Sequence, residues 1–200
     1  MFFNKYEKMG RALGDWATGE WVVPHYRKIV EFSNLSKSEH IRFMFGVPFV
    51  HLSICTWAVN FTFSSGRDLE KILDSMVDRY LNNQNKLKGS VLIDNVVVYH
   101  REIEYLRKRF DIKHNTTTDW KTLTEMVFEF RQTAYLQALK DGFSDESRMS
   151  NPLGLGPTKP LATCFVEHTG ITNQSEVHMT LPLALIETLN DVLGFCKKRA

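Results

Sequence analysis

His51 stands alone in a charge-free apolar run, Phe43 to Ser65. An imidazole there could handle a proton or face a ligand. It could equally be a core side chain satisfied by a hydroxyl or a carbonyl, because buried polar atoms take partners. The three cysteines, Cys55, Cys164 and Cys196, are widely spaced, odd in number and without a Cys-x-x-Cys pair. That pattern excludes a disulfide framework and a zinc site, and it predicts reduced, buried thiols. A carboxylate-bridged metal centre in a helical protein needs Glu-x-x-His pairs on two helices, so that both members of a pair reach one ion. No such pair occurs, nor does His-Glu-x-x-His. His100 and Glu104 are four residues apart and read as an ordinary solvated pair. The Gly-x-Ser-x-Gly turn of a serine hydrolase and the Gly-rich phosphate loop are also missing from the sequence. The expectation is no metal, no cofactor and no signature of catalysis.

Aromatic side chains are the other resource, with 14 Phe, 6 Tyr and 4 Trp. Such rings bury large areas in cores and interfaces, and Tyr and Trp add a polar atom. His51, Trp57, Phe45 and Trp120 are the candidate ligand-binding residues, with Trp16 and Trp21 as further lining rings. A second pattern lies between Glu104 and His114, where Arg109 and His114 form Arg-x4-His. This spacing resembles the active-site motif of the HEPN class of helical ribonucleases. The resemblance implies a dimeric helical protein in which Arg109 and His114 act together on a scissile RNA phosphate without a metal ion. It is confined to that stretch, and Phe110 follows the arginine where the family usually carries a polar residue. The surrounding cations (Arg101, Arg107, Lys108, Arg109, Lys113) alternate with Glu102, Glu104 and Asp111, the composition of a solvated helix face rather than a strong nucleic-acid signal.

Helices must position these groups. Tyr6, Gly10, Leu13 and Ala17 fall on one helical stripe, and Gly10 and Gly14 would let a second helix approach closely. Ser36 and Glu39 form a capping-box pattern that starts a long helix through the apolar run, in which Gly46 and Pro48 must bend or break the chain. Leu69, Ile72, Leu73, Met76, Val77, Tyr80 and Leu81 form a further stripe, ended by a turn at Gly89-Ser90. Residues 90–110 fit a helix or a pair of strands, with helix preferred. A helix from Asp119 to Asp141 is capped by Gly142, and the Pro/Gly-rich stretch 143–160 reads as a loop. Ala162 to Thr180 reads as two short strands, and Pro182 opens a last helix. The fold class expected is mainly α: one domain, a bundle of five or six helices around a kinked central helix, with a small β-hairpin near the C-terminus. Residues 1–142 form the helical body and 161–200 pack on it.

The chain has 200 residues and a formal net charge of +2, so no global field draws it to nucleic acid or anionic lipid. Its start lacks the basic-then-apolar pattern of a secretory signal, and a cytoplasmic location is expected. The run 43–65 is long enough to cross a bilayer, at borderline hydropathy, so membrane association through it is a second alternative. The reading preferred from sequence is a non-catalytic binding or interaction protein, a homo-oligomer that takes a small apolar ligand or a protein partner. Metal-independent RNA cleavage by Arg109 and His114 is the enzymatic alternative.

Overall fold

The computed structural model describes residues 4–19, 26, 29, 31, 34–63, 66–90, 120–144, 158–171 and 175–200. Among the described residues the chain is helical and has no strand. The helices are α1 (Lys5–Thr18), α2 (Lys37–Thr62), α3 (Arg67–Ser90), α4 (Trp120–Ser144), α5 (Thr158–Thr169) and α6 (Ser175–Lys197). Helix α2 contacts each of the other five.

Local chemistry sets where α1 and α2 begin. Asn4 caps α1: its side chain accepts the amides of Tyr6 and Glu7, each at 2.9 Å, and Glu7 accepts the Asn4 amide at 3.0 Å. This reciprocal pair starts the helix at Lys5. The expected box at Ser36 is formed in the same way, with Glu39 accepting the Ser36 amide at 3.0 Å and its hydroxyl at 2.7 Å. Helix α2 then runs unbroken through Gly46 and Pro48. Pro48 brings no amide to the carbonyl of Met44. Gly46 is required for a different reason. A Cβ there would lie 2.7 Å from the Phe165 ring and 3.0 Å from the Thr169 methyl, so α5 packs directly on the α2 backbone.

The glycine pair of α1 has the role its spacing suggests. A Cβ on Gly10 would meet the Ile72 carbonyl oxygen at 2.2 Å, and one on Gly14 would meet that of Met76 at 2.6 Å. Helices α1 and α3 are thus in backbone contact. Polar bonds fix their register, since Arg79 donates to Asp15 at 2.6 Å and Asn83 donates to Asp15 and Thr18 at 2.9 and 2.8 Å. Ile72, Met76 and Tyr80 are buried from α3 as the stripe requires, whereas Leu81, at its end, is 37% exposed.

Several boundaries differ from expectation. The turn at Gly89-Ser90 is instead the last part of α3, and Gly142 lies inside α4 rather than capping it. The stretch 143–160 is helical at both ends, in α4 and α5, with 145–157 outside the described residues. The hairpin does not form. Thr163, Val166 and Thr169 suit a strand by propensity, but helical spacing places Leu161, Ala162, Phe165, Val166 and Thr169 on one buried face, and that packing prevails. The Thr169 hydroxyl donates back to the Phe165 carbonyl at 2.9 Å, a bond available only in a helix.

Gly170 explains how α5 stops. It adopts φ +62°, and its amide bonds to Glu167 while that of Ile171 reaches back to Val166, the paired bonds of a Schellman cap. Arg42 of α2 closes the same end, donating to the carbonyls of Thr169 at 2.7 Å and Gly170 at 3.1 Å. A guanidinium there also meets the negative end of the α5 dipole. Pro182 does not open α6, which starts at Ser175 and carries the proline internally. Its carbonyl accepts the buried Thr158 hydroxyl at 2.9 Å, tying α6 to the first turn of α5.

Candidate functional site

His51 lies on the buried side of α2 and is 1% exposed. Its Nε2 is 2.7 Å from the Tyr26 hydroxyl, whose oxygen is 3.4 Å from the Thr188 hydroxyl of α6. The Trp16 ring of α1 stacks on the imidazole, with centroids 4.9 Å apart and planes at 21°. Tyr26 meets its edge at 5.2 Å. The imidazole is therefore packed between Trp16 of α1 and Tyr26. Burial is the main cause that holds the Tyr26 phenol well above its usual range, with the Thr188 bond opposing and Glu187 adding to it. Tyr26 and His51 thus form a buried polar pair that joins elements through the core.

Trp57, one turn and a half along α2, is differently placed. Its indole is half-buried and sandwiched: the Phe143 ring of α4 lies 4.2 Å away and the Phe61 ring 5.0 Å away, each at 12° to it. Phe61 ends this stack in water, 64% exposed. The i, i+4 spacing of Trp57 and Phe61 places both rings on one side of α2. A three-ring stack with an open outer face can take a further planar or apolar group, at a gain of about 0.5–1.5 kcal/mol per ring contact beyond area burial.

A third feature is a groove of about 600 Å³ between α4 and α5, floored by Ala134, Ala138, Pro160 and Cys164, with Asp141 and Glu167 among its polar residues. Behind it, His168 places Nε2 3.8 Å from the Cys164 sulfur, and its ring packs 5.2 Å from that of Tyr135. A thiol beside an imidazole suggests a nucleophile, but burial, with Glu167 in support, pushes the Cys164 thiol up to about 12. The neutral thiol is a poor nucleophile at neutral pH. Burial also raises Cys196, to about 11, and Cys55. Among the described residues no group of three or more metal-binding side chains comes together.

Of the candidates whose side chains are described, His51 and Trp57 sit in separate ring clusters. His51 packs with Trp16 and Tyr26, and Trp57 stacks with Phe61 and Phe143. Phe45 lies in α2 and Trp120 opens α4, with side chains outside what is described; Trp21, Arg109 and His114 lie outside the described residues altogether. The partners Tyr26, Thr188 and Phe143 come from segments 25 or more residues distant, and no local spacing marks them. Arg131 is buried as well, with its guanidinium 5.0 Å over the Phe49 ring. The alternation of charge and aromatic residues in α4 gives no sign of this.

Among the described residues two helices are long and apolar enough, by length and composition, to cross a membrane: Arg42–Thr62, 71% buried inside the fold, and Val177–Lys197, 33% buried. No protein family, curated protein or solved structure matches this chain.

Proposed function

We propose that the chain is a non-catalytic helical binding protein, working as a homo-oligomer in the cytoplasm, that engages a small apolar ligand or a protein partner through its aromatic surface. The observation that carries this reading is the Phe61–Trp57–Phe143 stack, whose outer ring is 64% exposed. A large ring left in water at the end of an ordered stack is the kind of anchor that binding surfaces use. The raised Cys164 thiol agrees with binding rather than nucleophilic chemistry at the neighbouring groove. Residues 43–65 support packing rather than lipid contact, because most of the span Arg42–Thr62 is buried among other helices.

A broad screen of apolar and aromatic compounds, read by melting temperature and by tryptophan emission, tests the reading. Compounds that raise the melting temperature of wild type should act more weakly on Phe61→Ser, whose fold is preserved because the ring is exposed. A strictly monomeric protein whose melting temperature no compound raises would sink the proposal.

A further inference from the structure

Cys164 and His168 lie one turn apart on α5, and the Cys164 sulfur is 3.8 Å from His168 Nε2. The i, i+4 spacing puts both side chains on one side of the helix. Cys164 is half-buried and lines the groove between α4 and α5, whereas His168 is 6% exposed and stands behind it. The Tyr135 ring, 5.2 Å from the imidazole, packs on His168 from α4. A sulfur and an imidazole nitrogen thus meet at the wall of an open groove of about 600 Å³, where a small solute reaches the sulfur first.

We propose that this pair binds a copper(I) ion, with the Cys164 thiolate and His168 Nε2 as its two ligands. The site lies apart from the Phe61 stack and does not rest on the binding-protein reading above. Distance is the first argument. Sulfur and nitrogen ligands stand at roughly 2.3 and 2.0–2.1 Å from a metal ion, so a separation of 3.8 Å is spanned at a bond angle of about 120°. Opening that angle to a straight line asks the two atoms to part by roughly 0.5 Å more, which side-chain rotation supplies. The number of donors is the second argument. Among the described residues no group of three metal-binding side chains forms. Structural zinc takes four ligands, whereas copper(I) is soft, favours thiolate and is stable with two. Charge is the third. A thiolate and a monovalent ion cancel, so the complex adds no net charge beside the buried His168, where a divalent ion would leave one to be desolvated. The groove favours a cation, since Asp141 and Glu167 stand against Lys159 alone. Binding is an exchange without electron transfer. The S–H bond breaks, the copper–sulfur and copper–nitrogen bonds form, and the proton leaves to solvent while the imidazole keeps its own proton on Nδ1. The protonated state of the free thiol is therefore no bar, because the ion takes the proton's place between sulfur and nitrogen.

Anaerobic titration of the reduced full chain with copper(I), in competition with a chromogenic chelator, tests this. Wild type should take a single ion, release a single proton and melt at a higher temperature once loaded. Cys164→Ala should lose the ion. His168→Gln keeps the thiol and should bind more weakly by about tenfold or more. X-ray absorption of copper-loaded wild type depends on no variant and should show one sulfur and one nitrogen neighbour. A sulfur-only shell would overturn the site, as would an ion kept by Cys164→Ala through Cys55 or Cys196. Equal affinity of His168→Gln and wild type, or no uptake by wild type, would overturn it too. The Phe61→Ser experiment bears on the aromatic surface alone, so the two readings fail separately.

Discussion

Replacing Gly10 by alanine reverses the usual sign of a helix substitution. Glycine inside a helix costs about 0.5–1 kcal/mol relative to alanine, so the change should normally stabilise. Here the added Cβ falls 2.2 Å from the Ile72 carbonyl oxygen and 2.9 Å from Ser75 Cβ. The oxygen belongs to the α3 backbone and cannot rotate aside. Reaching ordinary contact requires α1 to withdraw by roughly 1 Å or more, since non-bonded carbon contacts settle near 3.5–4.0 Å. Met9, Leu13 and Ala17 are buried from α1 and would shift with it, and the 2.6 Å Asp15–Arg79 bond would stretch as well. Overpacking of this kind costs about 1–3 kcal/mol, enough to outweigh the propensity gain. Gly194 provides the control, because a Cβ there meets nothing within 4 Å. Urea denaturation should give a lower midpoint for Gly10→Ala and an equal or higher one for Gly194→Ala, with slopes unchanged. A Gly10→Ala protein as stable as wild type would refute the backbone contact between α1 and α3.

Ser36→Ala should destabilise by about 0.5–2 kcal/mol in the same assay, since it removes the hydroxyl from the α2 cap. A double-mutant cycle of Tyr26→Phe and His51→Leu should give a coupling energy of about 0.5–1.5 kcal/mol, the net worth of their 2.7 Å bond; zero coupling would mean that the contact carries no energy. The thiols predict an alkaline limit. Cys164 is raised in the fold from 9.0 to about 12, so the unfolded chain loses its proton first as pH rises. Its stabilising contribution is complete below pH 9 and is lost from there towards pH 12, and Cys164→Ala should flatten that part of the stability profile. At pH 8 the thiolate fraction of native Cys164 is roughly a thousandfold below that of the unfolded chain, and alkylation followed by mass spectrometry should report protection of that order.

Where helix signals were local, the sequence carried them. The Ser36–Glu39 box, the α3 stripe and the close approach allowed by Gly10 and Gly14 all depend on residues within one or two turns. The Asn4–Glu7 box has the same three-residue spacing, but the reading of the first helix rested on its stripe and passed over it. The C-terminal region misled because Thr163, Val166, Thr169 and Ile171 have strand propensity, while the features that make α5 a helix are distant: Gly46 makes room for Phe165 and Arg42 closes the C-terminal end. The site was less legible than the fold. His51 and Trp57 share α2 and resemble each other as polar-tipped rings in an apolar run, yet one is enclosed and the other opens to water. That difference is set by Tyr26, Thr188 and Phe143, which tertiary packing alone brings to them.

The position of α2 among its neighbours has a consequence for hydrogen exchange. Each of the other described helices rests on it, so the opening of any one of them still leaves α2 covered by four. Amides in its middle, from Leu52 to Val59, then exchange with solvent only when the whole fold opens, and their rates measure the global unfolding free energy. Helix α1 rests mainly on α3, and its amides have a cheaper route to deuterium through a partial opening that spares the rest.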